Sequence, residues 1–316
     1  MSKVLKPEEI VLQSYFVRGY KTLGSKLIVN QKLIDIYNLV SSLGTDVYYG
    51  NYCSKLEEVV SHTRKIFDKY YRLHDVPHIP ARTVNDLSDE AAQLAENGDI
   101  SEIFAYQDKA EETRKMINPF ELPLFLGNYS SAFNGGLTIE LIGIPHIDYL
   151  IDSFIAFPEI FLDSDIGDLS VPVYGHELTH SQLESVKNAC HNYQNCEIIS
   201  IFNEKLSALE LDPTKSLLKE IEKRRFKAIS RNIEILMHPE EHSPIEIFKS
   251  SFYINSTLKA THLFDKYLNG DSDTKERIIN GIQRIFDGEI SVEDLLDDHN
   301  ITYENSCNVE LVKKHI

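Results

Sequence analysis

Residues 170–180 read Ser170-Val-Pro-Val-Tyr-Gly-His-Glu-Leu-Thr-His180. Ser170 can cap a helix and Pro172 is tolerated in a first turn, so a helix is expected to open here. On it, His176 and His180 stand four residues apart and project from one face, where two imidazoles can converge on a single cation. Neutral imidazole nitrogens suit Zn2+, and a catalytic zinc site takes three protein ligands and keeps a fourth position for water. Glu177, beside the first histidine, is placed to take a proton from that water as it attacks a carbonyl. In a chain with 12 histidines, chance would produce this pattern only about 0.04 times. The bland alternative is a pair of surface histidines on an amphipathic helix.

A third ligand has to come from elsewhere, and the next helical stretch offers Cys196-Glu-Ile-Ile-Ser-Ile-Phe-Asn-Glu204. Glu197 and Glu204 are seven residues apart and share a helical face. One can bind the metal while the other orients a histidine through its second ring nitrogen. The spacing leaves open which does which. Residues 190–195, CHNYQN, make a turn that lets the two helices pack antiparallel.

Working outward, the region from Ile10 to about Lys115 reads as successive amphipathic helices, with Leu56, Val59, Val60, Thr63, Ile66, Phe67 and Tyr70 at three- and four-residue steps. Prolines break the pattern at 75–82 (DVPHIPAR) and at 118–123 (NPFELP). The second break divides a helical region, 1–118, from a catalytic region, 119–316, the two packing as one unit around a cleft. LTIELIGI at 137–144 and IAFPEIFLD at 155–163 have the β-branched and aromatic character of strands, with Gly135–Gly136 as a turn and Pro158 suited to an edge. Helical periodicity returns from Ser170 and runs nearly to the end, interrupted at 237–244 (MHPEEHSP) and 269–273 (NGDSD). The expected class is therefore mainly α with a small β-sheet (α+β).

Composition narrows the partners. The 316 residues carry a formal charge of −17, with 32 Lys+Arg against 49 Asp+Glu. Nucleic-acid binding is disfavoured, because it rests on clustered positive charge. No run approaches the roughly 18 apolar residues that span a bilayer, and the start lacks the apolar core of a signal peptide, so a cytoplasmic protein without membrane contact is expected. Cys53, Cys190, Cys196 and Cys307 show no CxxC pairing and read as reduced thiols.

Glu197-Ile-Ile-Ser-Ile-Phe-Asn-Glu204 resembles the E-x-x-S…N-E helix of the oligoendopeptidase F and thimet oligopeptidase family of zinc metallopeptidases. Ser131-Ala-Phe133, Ile160-Phe-Leu-Asp163 and Asp168-Leu-Ser-Val-Pro-Val-Tyr-Gly resemble the family's approach to its HExxH helix. Ser251-Phe-Tyr-Ile-Asn-Ser-Thr257, Tyr267-Leu-Asn-Gly-Asp271, Arg277, Gly288 and Ser291-Val-Glu-Asp-Leu-Leu296 are similar to its closing helices. The likeness covers about residues 120–305 in order. It implies a zincin-like catalytic domain, an endopeptidase acting on oligopeptides, one Zn2+ per chain held by His176, His180 and Glu197, with Glu204 as the alternative ligand, and Tyr253 as a donor to the oxyanion. Asn203-Glu204-x-x-Ser207 also looks like the third-ligand helix of thermolysin-type enzymes.

The chain departs from the family at Thr179, where a glycine is usual, and at Leu183, where a third histidine is usual. The family's C-terminal oxyanion histidine falls near Ile245, leaving His238 or His242 as substitutes. Family members also have longer N-terminal regions, so a shallower cleft is expected here. A competing reading is a catalytically impaired metallopeptidase-fold protein that binds peptides, with Thr179 and Leu183 as marks of decay. Aminopeptidase action is a third.

Overall fold

The computed structural model describes residues 29–43, 50–73, 81–83, 160–162, 166–184, 193–242 and 244–316. Its organising pair is α3 (Ser170–Glu184) and α4 (Tyr193–Leu211). Both carry apolar residues around much of their circumference, as suits helices enclosed by others. Val171, Tyr174, Leu178 and Leu183 of α3 and Ile198, Ile199, Ile201, Phe202 and Leu206 of α4 are all buried. Each large side chain so enclosed stabilises the fold by about 1.5–3 kcal/mol relative to its exposed state.

The pair runs antiparallel. Gly175 faces Ser207, Thr179 meets Asn203 and His180 meets Glu197, so partners descend along α4 as positions rise along α3. Glycine at 175 permits this approach, because a Cβ there would lie 2.6 Å from Ser207 Oγ and 3.5 Å from the Phe67 ring. Ser170 is the first helical residue rather than a forward cap: its hydroxyl accepts from Gly167 N–H at 3.2 Å.

Two helices precede this pair. α1 (Gln31–Val40) is capped by Asn30, whose side chain accepts from Leu33 N–H, and α2 (Leu56–Tyr70) has the three- and four-residue stripe read from the sequence, with Val59, Thr63, Ile66 and Phe67 buried. The Asp168 carboxylate ties the entrance of α2 to that of α3 by accepting from Tyr52 and Cys53 N–H, both at 2.7 Å. After α4 come α5 (Ser216–Met237), a 3-10 turn (Pro239–Glu241) and the long α6 (Pro244–Asn269), which packs on α4 and α5. The chain closes with α7 (Ser272–Phe286), α8 (Val292–Asp298), α9 (Tyr303–Ser306) and α10 (Val309–His315). Asp271 caps α7, and Ser291 and Asp294 form a capping box on α8. Gly288, at φ 73°, makes the turn between them.

Two apolar cores result. One joins α2, α3, α4, α7 and α8 with the ends of α5 and α6. The other joins α1, the body of α5, the first half of α6 and the C-terminal pieces. Described helices on both sides of the expected 118/119 division thus share their cores, while the division itself lies outside the described residues.

The expected α+β class is corrected to an all-helical architecture among the described residues. Extended pairing there amounts to three residues, β1 (Ala81–Thr83) alongside β2 (Ile160–Leu162), parallel, with Ala81 opposite Ile160 and Thr83 opposite Leu162. A ladder this short forms no sheet layer of the kind a zincin-like domain implies. Of the 155–163 run, residues 160–162 are described, and their partner comes from the proline-containing segment at 75–82 and the residue after it. The 137–144 run, Gly135–Gly136, Pro158 and Ser131-Ala-Phe133 lie outside the described residues. No described helix is long and apolar enough to cross a membrane.

A hydrogen-bonded chain locks α2, α4 and α3 together. Tyr71 O–H donates to Asn203 Oδ1 at 2.7 Å, Asn203 Nδ2 donates to Thr179 Oγ1 at 3.0 Å, and Thr179 O–H donates to the Gly175 carbonyl at 2.8 Å. All three side chains are buried. Asn203→Leu strands the Tyr71 hydroxyl and removes a donor to Thr179, and is expected to lower stability by about 2 kcal/mol, read as the shift of the urea midpoint. Adding Tyr71→Phe should recover part of that loss. An unchanged midpoint in Asn203→Leu would contradict the role given to this chain.

Candidate metal centre

His176 and His180 project from α3 toward α4, where Glu197 meets both. The two Nε2 atoms are 3.1 Å apart, Glu197 Oε1 is 3.6 Å from His176 Nε2, and Glu197 Oε2 is 3.2 Å from His180 Nε2. Donors bonded to one zinc at about 2.0–2.1 Å in tetrahedral array stand roughly 3.3 Å apart. The three residues therefore meet the size test for a shared cation, and all are buried.

Glu204, one face-repeat along α4, does not reach that triangle. Its Oε2 lies 3.6 Å from His176 Nδ1, the ring nitrogen pointing away from Glu197. The seven-residue spacing brings both carboxylates to His176 and distributes them between its two nitrogens. Arg225 of α5 completes the group. Its Nε donates to Glu204 Oε2 at 2.8 Å, Nη2 meets the same oxygen closely, Nη2 is 3.2 Å from His176 Nδ1, and Nη1 is 3.8 Å from Glu197 Oε1.

Arg225 was not singled out from the sequence. The signal was present in α5, where Leu218, Ile221, Glu222, Phe226 and Ile229 form a buried stripe and Arg225 falls beside it at helical spacing. A charged side chain bordering an inward stripe needs a partner.

Electrostatics agree with the geometry. Burial would raise the Glu197 carboxyl, but His176, His180 and Arg225 outweigh it and hold it down at about 2. Glu204 is likewise held below the usual carboxylate range by Arg225 and His176 against the effect of burial. Burial lowers His176, and Glu197 and Glu204 more than compensate, leaving it raised. Glu177, half-buried on the same helix, is raised chiefly by burial, with both histidines opposing. Three carboxylates against one guanidinium leave two formal negative charges at the site, which a divalent cation would neutralise.

Tyr253, on α6, is 37% exposed and stacks edge-on with Phe252. Its phenol is raised first by the charge of Glu197 and then by burial, with Arg225 opposing and Glu177 adding to the rise. The tyrosine thus stands within electrostatic range of the cluster. His238 is exposed on the turn after α5, 3.9 Å from Glu240, and His242 is half-buried on the same turn. His238, Glu240 and Glu241 form an exposed group.

Thr179 and Leu183 have structural work in this fold. Thr179 is the middle of the Tyr71–Asn203 chain and Leu183 is fully buried in the core. Neither departure from the family pattern disturbs the two histidines. Comparison with protein-family models, with curated proteins and with solved structures gives no match.

Proposed function

We propose that this chain is a zinc-dependent metallopeptidase of the oligoendopeptidase F type, cutting internal bonds of oligopeptides. The observation that carries the reading is the buried His176–His180–Glu197 triangle, of zinc-coordination size and with surplus negative charge around it. A zinc ion bound there supplies Lewis acidity, polarising a carbonyl and making a water acidic enough to attack it at neutral pH.

The chain's own groups supply the rest. Glu177 takes the proton of the attacking water and returns it to the leaving amine. Burial raises its affinity for that proton above that of an exposed glutamate, which suits a group that must both accept and release it. Tyr253 stays protonated in the field of Glu197 and donates a hydrogen bond to the developing oxyanion. Glu197 remains ionised throughout and holds its charge against the histidines. Glu204, 3.6 Å from the far nitrogen of His176 and beside Arg225, is the carboxylate that would orient the ring when its proton sits there.

The test is metal content and turnover together. Purified protein is expected to carry one zinc per chain, to cleave an internally quenched peptide, to lose that activity on dialysis against a chelator and to regain it with added zinc. Protein that binds no transition metal, or that turns over equally after complete metal removal, overturns the reading.

A further inference from the structure

We propose that Arg225 is a positioning residue for the metal centre, acting through Glu204 on His176; this rests on the metal reading given above. For His176 Nε2 to face a cation, the ring's proton must reside on Nδ1 and needs an acceptor there. Glu204 Oε2, 3.6 Å from Nδ1, is a carboxylate oxygen on that side. Arg225 itself offers only N–H donors and cannot fill the role; its Nη2, 3.2 Å from Nδ1, stands nearer than Glu204 and has to yield to that oxygen once the ring's proton sits on Nδ1. What it does is aim the carboxylate: Nε and Nη2 both converge on Glu204 Oε2, the same oxygen that addresses Nδ1.

The guanidinium has a second task. Glu204 is 5% exposed and would be costly to keep ionised without a partner. Arg225 supplies the compensating charge, and its Nη1, 3.8 Å from Glu197 Oε1, reaches toward the other carboxylate as well. One planar side chain from α5 thereby sets the orientation of the carboxylate partner of His176 and borders the carboxylate that faces both Nε2 atoms. A lysine could supply charge but not two parallel donors in a fixed fork.

The experiment measures zinc affinity by competition with a chromophoric chelator, and the visible absorption of the cobalt-substituted protein, in full-length wild type, Arg225→Met and Arg225→Lys. Thermal melts of the metal-free proteins run alongside. Arg225→Met is expected to weaken zinc binding about 10–100-fold and to shift the cobalt bands. Arg225→Lys should recover only part of the affinity. Wild-type affinity and an unshifted cobalt spectrum in Arg225→Met overturn the proposal while leaving the metal reading intact. If Arg225→Met does not fold, Arg225→Lys decides: weakened binding supports the role and unchanged binding overturns it. A wild-type chain that binds neither metal overturns the metal reading and this proposal with it.

Discussion

Glu177→Gln is expected to lower kcat for peptide hydrolysis by about 10²–10⁴-fold, with zinc stoichiometry unchanged. The substitution keeps the side chain's size and removes its ability to take a proton. Glu177 lies between the histidines on α3 and outside the triangle formed by His176, His180 and Glu197, so that triangle survives the change. Its half-buried setting is what makes the loss large. Burial raises the carboxyl and both histidines pull it back, leaving a group able to exchange a proton with a water and then with an amine. Stability should hold or rise slightly, since a partly desolvated charge is removed. Peptide turnover measured in parallel with metal content separates the two readings of this chain. Equal rates in wild type and Glu177→Gln would eliminate the hydrolytic mechanism and favour a peptide-binding module.

The second large effect lies away from the centre. Lys205, immediately after Glu204, is fully buried. Its Nζ donates to Thr261 Oγ1 at 2.6 Å and lies 2.8 Å from Glu222 Oε2 and 5.9 Å from the centre of the Phe264 ring. Glu222 in turn meets His315 Nδ1 at 3.0 Å, and His315 Nε2 is 3.4 Å from Asp265 Oδ1. The line of charges thus runs from α4 through α5 to α10, with Asp265 of α6 at its end. Burial lowers the Lys205 ammonium, and Glu222 opposes that fall. Glu222→Leu leaves Lys205 enclosed with Thr261 as its remaining hydrogen-bond partner and is expected to cost about 3–5 kcal/mol, read from urea unfolding. Amides of α10 should exchange faster as His315 loses its anchor. Lys205→Met combined with Glu222→Leu should recover much of the loss, because an apolar pair of similar volume avoids the desolvation penalty. A Glu222→Leu midpoint at the wild-type value would show that the buried pair is not holding this region.

How much of this was legible before any coordinates follows from the range of each signal. The histidines at i and i+4 and the glutamates at i and i+7 are properties of a single helix, so their common faces could be read from spacing alone. The stripe of α2 was legible for the same reason. Arg225 was not, because it reaches His176 from another helix 49 residues along the chain, and no local period relates them. Asn203 and Thr179 are ordinary polar residues in sequence, and they become a structural pair only when α3 and α4 run antiparallel. The sheet was the clearest misreading. β-branched composition at 155–163 signals extended backbone, but a sheet layer requires partners of matching length, and the described ladder found three residues at Ala81–Thr83.

By itself, then, the sequence determined which histidines and glutamates share a face on two helices and the acidic character of the chain, because helical periodicity and side-chain chemistry are local. The tertiary structure decided which nitrogen of His176 each glutamate meets, which cation accompanies Glu204 and how Lys205 is accommodated in a core. Those outcomes depend on distances between helices far apart in the chain, and burial turns each unpaired charge into a cost that only a neighbour from another helix can offset.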